Sequence, residues 1–583
     1  MPDPVLPSRP FSHLPALAVL AGLVLFAFLP TLDHGWAPLD DELNFVSNPH
    51  YRGLSPDHLR WMATSRHAGH YIPLSWLTLA ADFELSGMAP RGYHRTNLLL
   101  HLANALLFYA LAWRLLAVRP RGAPEEGREP AGPRLLAAFA AAALFAVHPL
   151  RVESVAWITE RRDVLCGLFV LLTLHAWLSA AGASGRRRSL AYAGALLAFA
   201  AALLSKGIAL MLPAALVALD LFPLGRLELD PRRWLSRGAR AVLLEKLPFL
   251  ALSALFAGVT FWAAAPAMAD RTQAGLEHRL LSAGFGLSFY LEKTVVPRAI
   301  PFQVPATHPL TVAGDGGVAL RGIVFLAVLA GALAFWRRKP AVPLALAVFT
   351  AFVLPVSGLF QAGPQLAAHR YTYLSALSLA LLAGAGLQAL ARRQGRWGLA
   401  GLALLTLGLA WALAGSARAQ AGLWRDDVTF CRAAVDAAPD AWAPAGALAR
   451  AYLARGEQGA ALAVLQAARQ RLPDALLLTY LEAVLLATSP DDRLRDGELA
   501  LLLATRAART TSYQDPAALF ALAAASAETG DLDAARHWLD GAEALTRAGR
   551  KPGFLPVLEA ASRQIDAQGL VRLTTADWRN TPL

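Results

Sequence analysis

The sequence predicts an all-α fold, a polytopic membrane helix bundle followed by a C-terminal helical-repeat domain, and three observations point to it. Of 583 residues, 56% are hydrophobic and only 16% charged, whereas a soluble chain carries nearer a quarter charged. The apolar residues gather into long Leu/Ala/Phe/Val runs, each able to cross a hydrocarbon core of about 30 Å. After Gly415 the pattern changes to amphipathic helices separated by turn signals. The predicted domains are therefore 1–415 and 416–583.

Eleven apolar runs read as spans: 13–32, 93–117, 134–148, 164–182, 189–205, 207–223, 247–266, 318–336, 341–358, 373–391 and 397–415. The first follows a short polar start with no small-residue cleavage site behind it, so it reads as an uncleaved helix rather than a signal peptide. Basic clusters fall between runs: within 114–134 and 226–246, at Arg186, Arg187 and Arg188, at Arg337, Arg338 and Lys339, and at Arg392, Arg393 and Arg396. The positive-inside rule places such loops in the cytoplasm, and with them the N-terminus. That orientation puts 33–93, 149–163, the Ser205-Lys206-Gly207 turn, 267–317 and 359–372 outside. Within 267–317, residues 281–293 read as an interfacial helix ending in Tyr290, Glu292 and Lys293, and Pro297, Pro301, Pro305 and Pro309 as an extended path. The Ala/Arg/Leu-rich composition suits a GC-rich bacterial gene and hence the inner membrane, with the 416–583 domain periplasmic.

The net charge of +12 is accounted for by these loops, so nucleic acid is not expected as a partner. Two cysteines, Cys166 and Cys431, give no disulfide framework. In the C-terminal part, Leu448, Ala449, Tyr452, Gly456, Ala461, Leu465, Ala468 and Pro473 match the small-and-large spacing of one tetratricopeptide unit. Leu522, Ala523, Gly530, Ala535, Leu539 and Ala542 match another. Ala500, Leu503 and Ala507 fit the second helix of an irregular unit between them, completing the roughly three units such a stack needs.

Residues with chemical potential concentrate outside. The first loop opens on Asp40, Asp41 and Glu42, carboxylates that repel one another unless cations or water offset them. His94, Asn97, His101 and Asn104 follow at steps of three, four and three, one stripe of a helix. Such a stripe faces either a cavity or a partner helix. His148 to Asp163 carries Arg151, Glu153, Trp157, Glu160, Arg161 and Arg162. Arg161, Arg162 and Lys206 break the positive-inside pattern, and an anionic phosphate at the membrane surface would explain them. Pairing with Glu160 or Asp163 is the structural alternative. His369 and Arg370 stand beside Tyr371 and Tyr373, which also suit an aromatic belt. No Walker loop, Rossmann glycine pattern, HExxH or CxxC pair occurs. A divalent cation near Asp40 and Asp41 stays open.

The Asp40-Asp41 pair, Asn48-Pro49, Tyr71 to Leu74, Gly92-Tyr93-His94, Asn97 to His101, His148-Pro149, Val152 to Trp157, Glu160 to Asp163, Ser205-Lys206 and Arg370 to Leu374 come in a characteristic order. With the C-terminal repeats they resemble the transmembrane and tetratricopeptide-repeat O-mannosyltransferases and their bacterial relatives, within the type-C glycosyltransferase superfamily. The repeat array is short and its middle unit degenerate. The resemblance implies an inverting transferase that moves mannose or another hexose from a polyprenyl-phosphate sugar to a hydroxyl acceptor, a protein Ser/Thr or a glycan, held by the repeats. It needs no certain cofactor. Asp41, or Asp40, would then be the base; Arg161, Arg162, Lys206 and Arg370 would hold the donor phosphate; His94, His101, Glu153 and Glu160 would shape the sugar pocket. A non-catalytic repeat scaffold for envelope assembly, or a lipid-linked glycan ligase or flippase, are the other readings.

Overall fold

The computed structural model describes residues 13–37, 39–118, 130–268, 276–297, 304–305, 316–359 and 365–580. The described residues are overwhelmingly α-helical; the strand content is one short antiparallel pairing of Val304–Pro305 with Gln365–Ala367. They divide into two compact units between Arg425 and Asp426. The division falls ten residues beyond the sequence-predicted boundary, because the last apolar run is part of one unbroken helix, Arg396–Gly422.

All eleven apolar runs lie in helices. Among the described residues seven helices are long and apolar enough to cross a membrane, eight if the bent pair Ala131–Ala146 and Pro149–Ala156 counts as one span. The chain is a multi-pass membrane protein. The runs 207–223, 318–336 and 341–358 yield shorter apolar helices, Gly207–Leu221, Ala319–Ala334 and Ala341–Val356, so the predicted eleven exceeds the number that meet the length of a full span. The 281–293 stretch lies inside a longer helix, Leu276–Val295. At Gly284 this helix is packed against Gly322 so closely that an added Cβ would stand 3.1 Å from the facing Cα. Pro38, Pro301 and Pro309 fall outside the described residues.

Small residues set how closely the bundle packs, as expected where lipid removes any hydrophobic drive between helices. Ala137 to Ala143 are all buried, and a Cβ on Gly384 of the Thr372–Ala391 helix would lie 2.7 Å from the carbonyl oxygen of Ala137. A Cβ on Gly167 would meet the Tyr373 ring at 2.7 Å.

The breaks in the helices fix where polar groups gather. Pro149 has no N–H to continue the Ala131–Ala146 helix, and the chain turns by 52°. It then runs as short pieces, Pro149–Arg151, Val152–Ala156 and Ile158–Glu160, before Arg161–Ala181 begins. Gly185–Ser205 likewise stops before Lys206, and a single 3₁₀ turn, His369–Tyr371, precedes Thr372–Ala391. The 33–93 loop is held by an aromatic cluster of Phe45, Tyr51, Trp76 and Tyr93, with Trp36 and Trp61 against it.

The second unit is a run of paired helices from Asp427–Ala437 to Leu555–Gln568. The residues picked out by repeat spacing are its core: Leu448, Ala449, Ala461 and Leu465, then Ala500, Leu503 and Ala507, then Leu522, Ala523, Ala535 and Leu539 are all buried. Gly456 and Gly530 take φ of +79° and +86° at the turns between paired helices, which a residue without a Cβ allows.

Candidate active site

Three helix breaks bring charges of both signs to one end of the membrane unit. Glu160, whose side chain is fully buried, accepts from Arg162 Nη2 at 2.7 Å and Lys206 Nζ at 2.8 Å, and lies 3.1 Å from Arg370 Nε. Lys206 Nζ also donates to Asp163 at 2.7 Å, and Asp163 accepts from Ser154 Oγ at 3.0 Å. Glu153 accepts from the backbone N–H of Arg370 at 2.9 Å and pairs with its guanidinium. Arg151 donates to the carbonyl and hydroxyl oxygens of Thr372, with its Nε buried and unpartnered. Burying so many charges is tolerable only because they are paired and hydrogen-bonded.

Not every donor is consumed. An ammonium has three N–H groups and a guanidinium five. Lys206 uses two, and Arg162 commits Nε and Nη2 to Glu160. These two side chains keep 13% and 8% of their surface open, against 4% for Arg370. Tyr371 lies beneath the cations, its ring 4.8 Å from the Arg370 guanidinium and 5.8 Å from the Lys206 ammonium.

The first-loop carboxylates separate into two environments. Asp41 is fully buried: Oδ2 accepts from the Ala37 N–H at 2.8 Å, and Oδ1 from the Thr159 N–H at 3.1 Å and its hydroxyl at 2.6 Å. It ties the loop to the backbone one residue before Glu160. Burial pushes its carboxyl up to about 7, against the pull of the Thr159 and Ala37 hydrogen bonds. Asp40 is exposed, and its charge acts on Arg162. His70 is also exposed, and the charges of Arg162, Glu160, Lys206 and Arg370 act on it. Loss of hydration, and then the Arg162 charge, hold its imidazole down at about 3, hence neutral at physiological pH.

Other sequence-predicted residues point elsewhere. Arg161 turns away from this mouth, donating to Asp82 at 2.6 Å and to the Tyr93 carbonyl at 2.8 Å, and pairing with Asn97. His101 uses both ring nitrogens, at 2.8 Å from the Tyr373 hydroxyl and 2.8 Å from the Ala146 carbonyl oxygen. Asn104 donates to the Val164 carbonyl and the Tyr373 hydroxyl. His94 Nε2 meets the Gly35 carbonyl oxygen at 3.2 Å. The polar stripe thus joins the Pro90–Leu115 helix to its neighbours, one of the two roles its spacing allows. His369 is buried and stacks on Phe289.

Sequence reasoning gave no role to Asp82, Thr159 or His70. Asp82 carried a readable signal, a carboxylate in the apolar stretch of Pro73–Ser86, where an acid needs a partner. Thr159 and His70 had none. Among the described residues no group of three or more His, Cys, Asp or Glu side chains is gathered as a metal site would need.

Asp41 yields a pH prediction. Its folded value near 7 stands above the ordinary value of 3.8, so between them the folded chain binds the extra proton. The contribution to stability, no more than about 4 kcal/mol, is fully present below pH 4 and is lost as pH rises through 7. Thermal unfolding of the detergent-solubilised protein should therefore show stability falling across that window. Asp41→Asn should flatten the slope; an unchanged slope would mean another group carries it.

Fold and site together define a multi-pass α-helical membrane protein with a charge-rich, partly open centre built at its helix breaks. The chain is a relative of protein O-mannosyl-transferases. It is 31% identical to protein O-mannosyl-transferase TMTC4 of Homo sapiens over 190 residues, 30% of this chain and 25% of that protein. It is 34% identical to TMTC1 of Homo sapiens over 172 residues, 27% of this chain and 17% of that one. It is 31% identical to Tmtc1 of Drosophila melanogaster over 175 residues, 28% and 18% respectively. The match thus spans a quarter or less of each relative's length. No protein-family profile matches the chain.

Proposed function

We propose that the chain is an inverting glycosyltransferase that moves mannose or another hexose from a polyprenyl-phosphate donor to a hydroxyl acceptor, a protein Ser or Thr. The charge distribution favours the periplasmic face of a bacterial inner membrane for this chemistry, with the N-terminus cytoplasmic and residues 426–583, as a tetratricopeptide-type stack, holding the acceptor. The names of the relatives support transfer of mannose to protein. One observation carries the reading: the hydrogen bonds of Asp41 to Thr159 fasten the loop that carries the exposed carboxylate of Asp40 next to Glu160, whose partners Arg162 and Lys206 retain uncommitted donors.

In this reading Asp40 accepts the proton of the acceptor hydroxyl, whose oxygen attacks the anomeric carbon. The bond from that carbon to the phosphate oxygen breaks, and the phosphate leaves with the electron pair. One displacement inverts the centre. A phosphate is a weakly basic leaving group, so it needs cations rather than a general acid, and Lys206 and Arg162 supply them. Asp40 is preferred to Asp41 because both Asp41 oxygens already accept loop hydrogen bonds. Glu153 and Glu160 hold the cations in place, Arg370 orients Glu160, and neutral His70 hydrogen-bonds a hydroxyl of the sugar or acceptor. Arg161, His94 and His101 support the scaffold. A divalent cation could add to the positive charge at Asp40 without changing these roles.

The test compares envelope proteins from cells with and without the gene by intact-mass glycoproteomics. It also supplies the purified protein with a polyprenyl-phosphate hexose or a nucleotide sugar. Hexose lost from specific Ser or Thr residues, and transferred only from the lipid donor, is expected. No change in the envelope proteins together with no transfer in vitro would overturn the reading. Lys206→Gln should lower kcat by about 10²-fold, with Lys206→Arg recovering part of it. Equal activity of all three proteins would remove Lys206 from the phosphate site.

A further inference from the structure

Running from Leu374 to Arg396, away from the charged mouth, the bundle contains a cavity of about 720 Å³ that the proposed chemistry does not use. Along the Thr372–Ala391 helix its wall runs from Leu374 through Leu377, Leu381 and Ala385 to Gln388 and Arg392. At 1.5 Å per residue that wall is about 27 Å long, nearly the depth of a hydrocarbon core. Phe108, Val170, Leu212 and Phe352 supply apolar wall near the Leu374 end. The other end is polar and basic, with exposed Arg392, Gln394 and Arg396 in its lining. Trp397, 78% exposed, lies beside it with the Arg396 guanidinium 5.1 Å from its ring. An exposed tryptophan next to arginines marks headgroup depth.

A long, narrow, apolar space with guanidinium groups at one end is complementary to a molecule of one chemistry. We propose that the cavity binds an acyl chain of an anionic phospholipid, whose headgroup phosphate is received by Arg392 and Arg396. The Leu374 end begins one residue after Tyr373, whose hydroxyl bonds His101 and Asn104. A chain filling the cavity therefore packs against the Thr372–Ala391 helix, which follows directly on Arg370 and Tyr371. The proposal stands apart from the glycosyltransferase reading.

The experiment is native mass spectrometry of the full-length protein, delipidated in mild detergent and re-exposed to phosphatidylglycerol or phosphatidylcholine vesicles. One retained phosphatidylglycerol is expected. Arg392→Gln with Arg396→Gln, both at exposed positions, should weaken that retention about tenfold or more, since each arginine near an anionic headgroup contributes about 1 kcal/mol. Ala385→Phe, which fills the cavity, should abolish it. Asp40→Asn should retain the lipid, which separates this site from the transferase chemistry. Equal retention of the two lipids, or retention unchanged in the double arginine variant, would overturn the proposal. So would a polyprenyl phosphate that displaces phosphatidylglycerol from the wild-type protein, because the space would then belong to the sugar donor.

Discussion

Asp40→Asn is expected to lower hexose transfer by about 10²–10⁴-fold, the range over which a positioned general base acts, while the protein inserts and folds normally. The side chain is exposed and no hydrogen bond of the fold rests on it, so the substitution removes a proton acceptor and one negative charge near Arg162 and little else. Losing that charge leaves the cations freer to hold a phosphate, so donor KM should stay level or fall while kcat collapses. Asp41→Asn should behave differently. It converts one oxygen that accepts from Ala37 or Thr159 into a donor facing a donor, so its first effect is on the loop and on stability. Activity lost in Asp41→Asn at native melting temperature, with Asp40→Asn fully active, would reverse the assignment.

The membrane bundle was legible in the sequence because its determinants are local. Apolar runs of sufficient length must be helical in lipid, and every predicted run lies in a helix. The core of the second unit was legible for a similar reason: small residues at fixed offsets, such as Ala449 and Ala461, are where paired helices approach. The site was legible only as a collection. Arg162, Lys206, Glu160 and Arg370 stood out as misplaced charges, and the helix breaks bring them within ion-pair distance. Their division of labour was not legible, because it depends on direction. Arg161 and Arg162 are neighbours in sequence, yet at the start of a helix successive side chains diverge by about 100°. One therefore meets Asp82 and the other Glu160. The same holds for Asp40 and Asp41, of which one faces solvent and the other the Thr159 backbone. Among the described residues fewer helices reach full-span length than there are apolar runs where apolar composition outruns helix length, as in Gly207–Leu221, where the chain reaches Phe222-Pro223 after 15 residues.

The largest stability effect should come from Asp82, a residue the charge pattern alone did not bring forward. Its carboxylate accepts from Arg161 at 2.6 Å and from the Thr96 hydroxyl at 2.6 Å, and the side chains of the ion pair are 4% and 0% exposed. Asp82→Leu leaves the Arg161 guanidinium buried without its counter-charge, and Nη1 is already without a partner. Breaking a buried pair on one side costs about 3–5 kcal/mol, enough to remove much of the margin by which a folded chain persists. The expected result is a collapse in folded yield and in the melting temperature of whatever is recovered. Replacing both partners, Asp82→Leu with Arg161→Met, removes the orphaned charge and should recover most of the loss, because apolar packing of similar volume often matches a buried ion pair. Arg91 and Asp33 form the contrasting case: their pair is 3.1 Å long but 71% and 75% exposed, and Arg91→Ala should change the melting temperature very little. Should Asp82→Leu melt as Arg91→Ala does, Arg161 would have to be satisfied from another direction, and its distinction from Arg162 would fall with it.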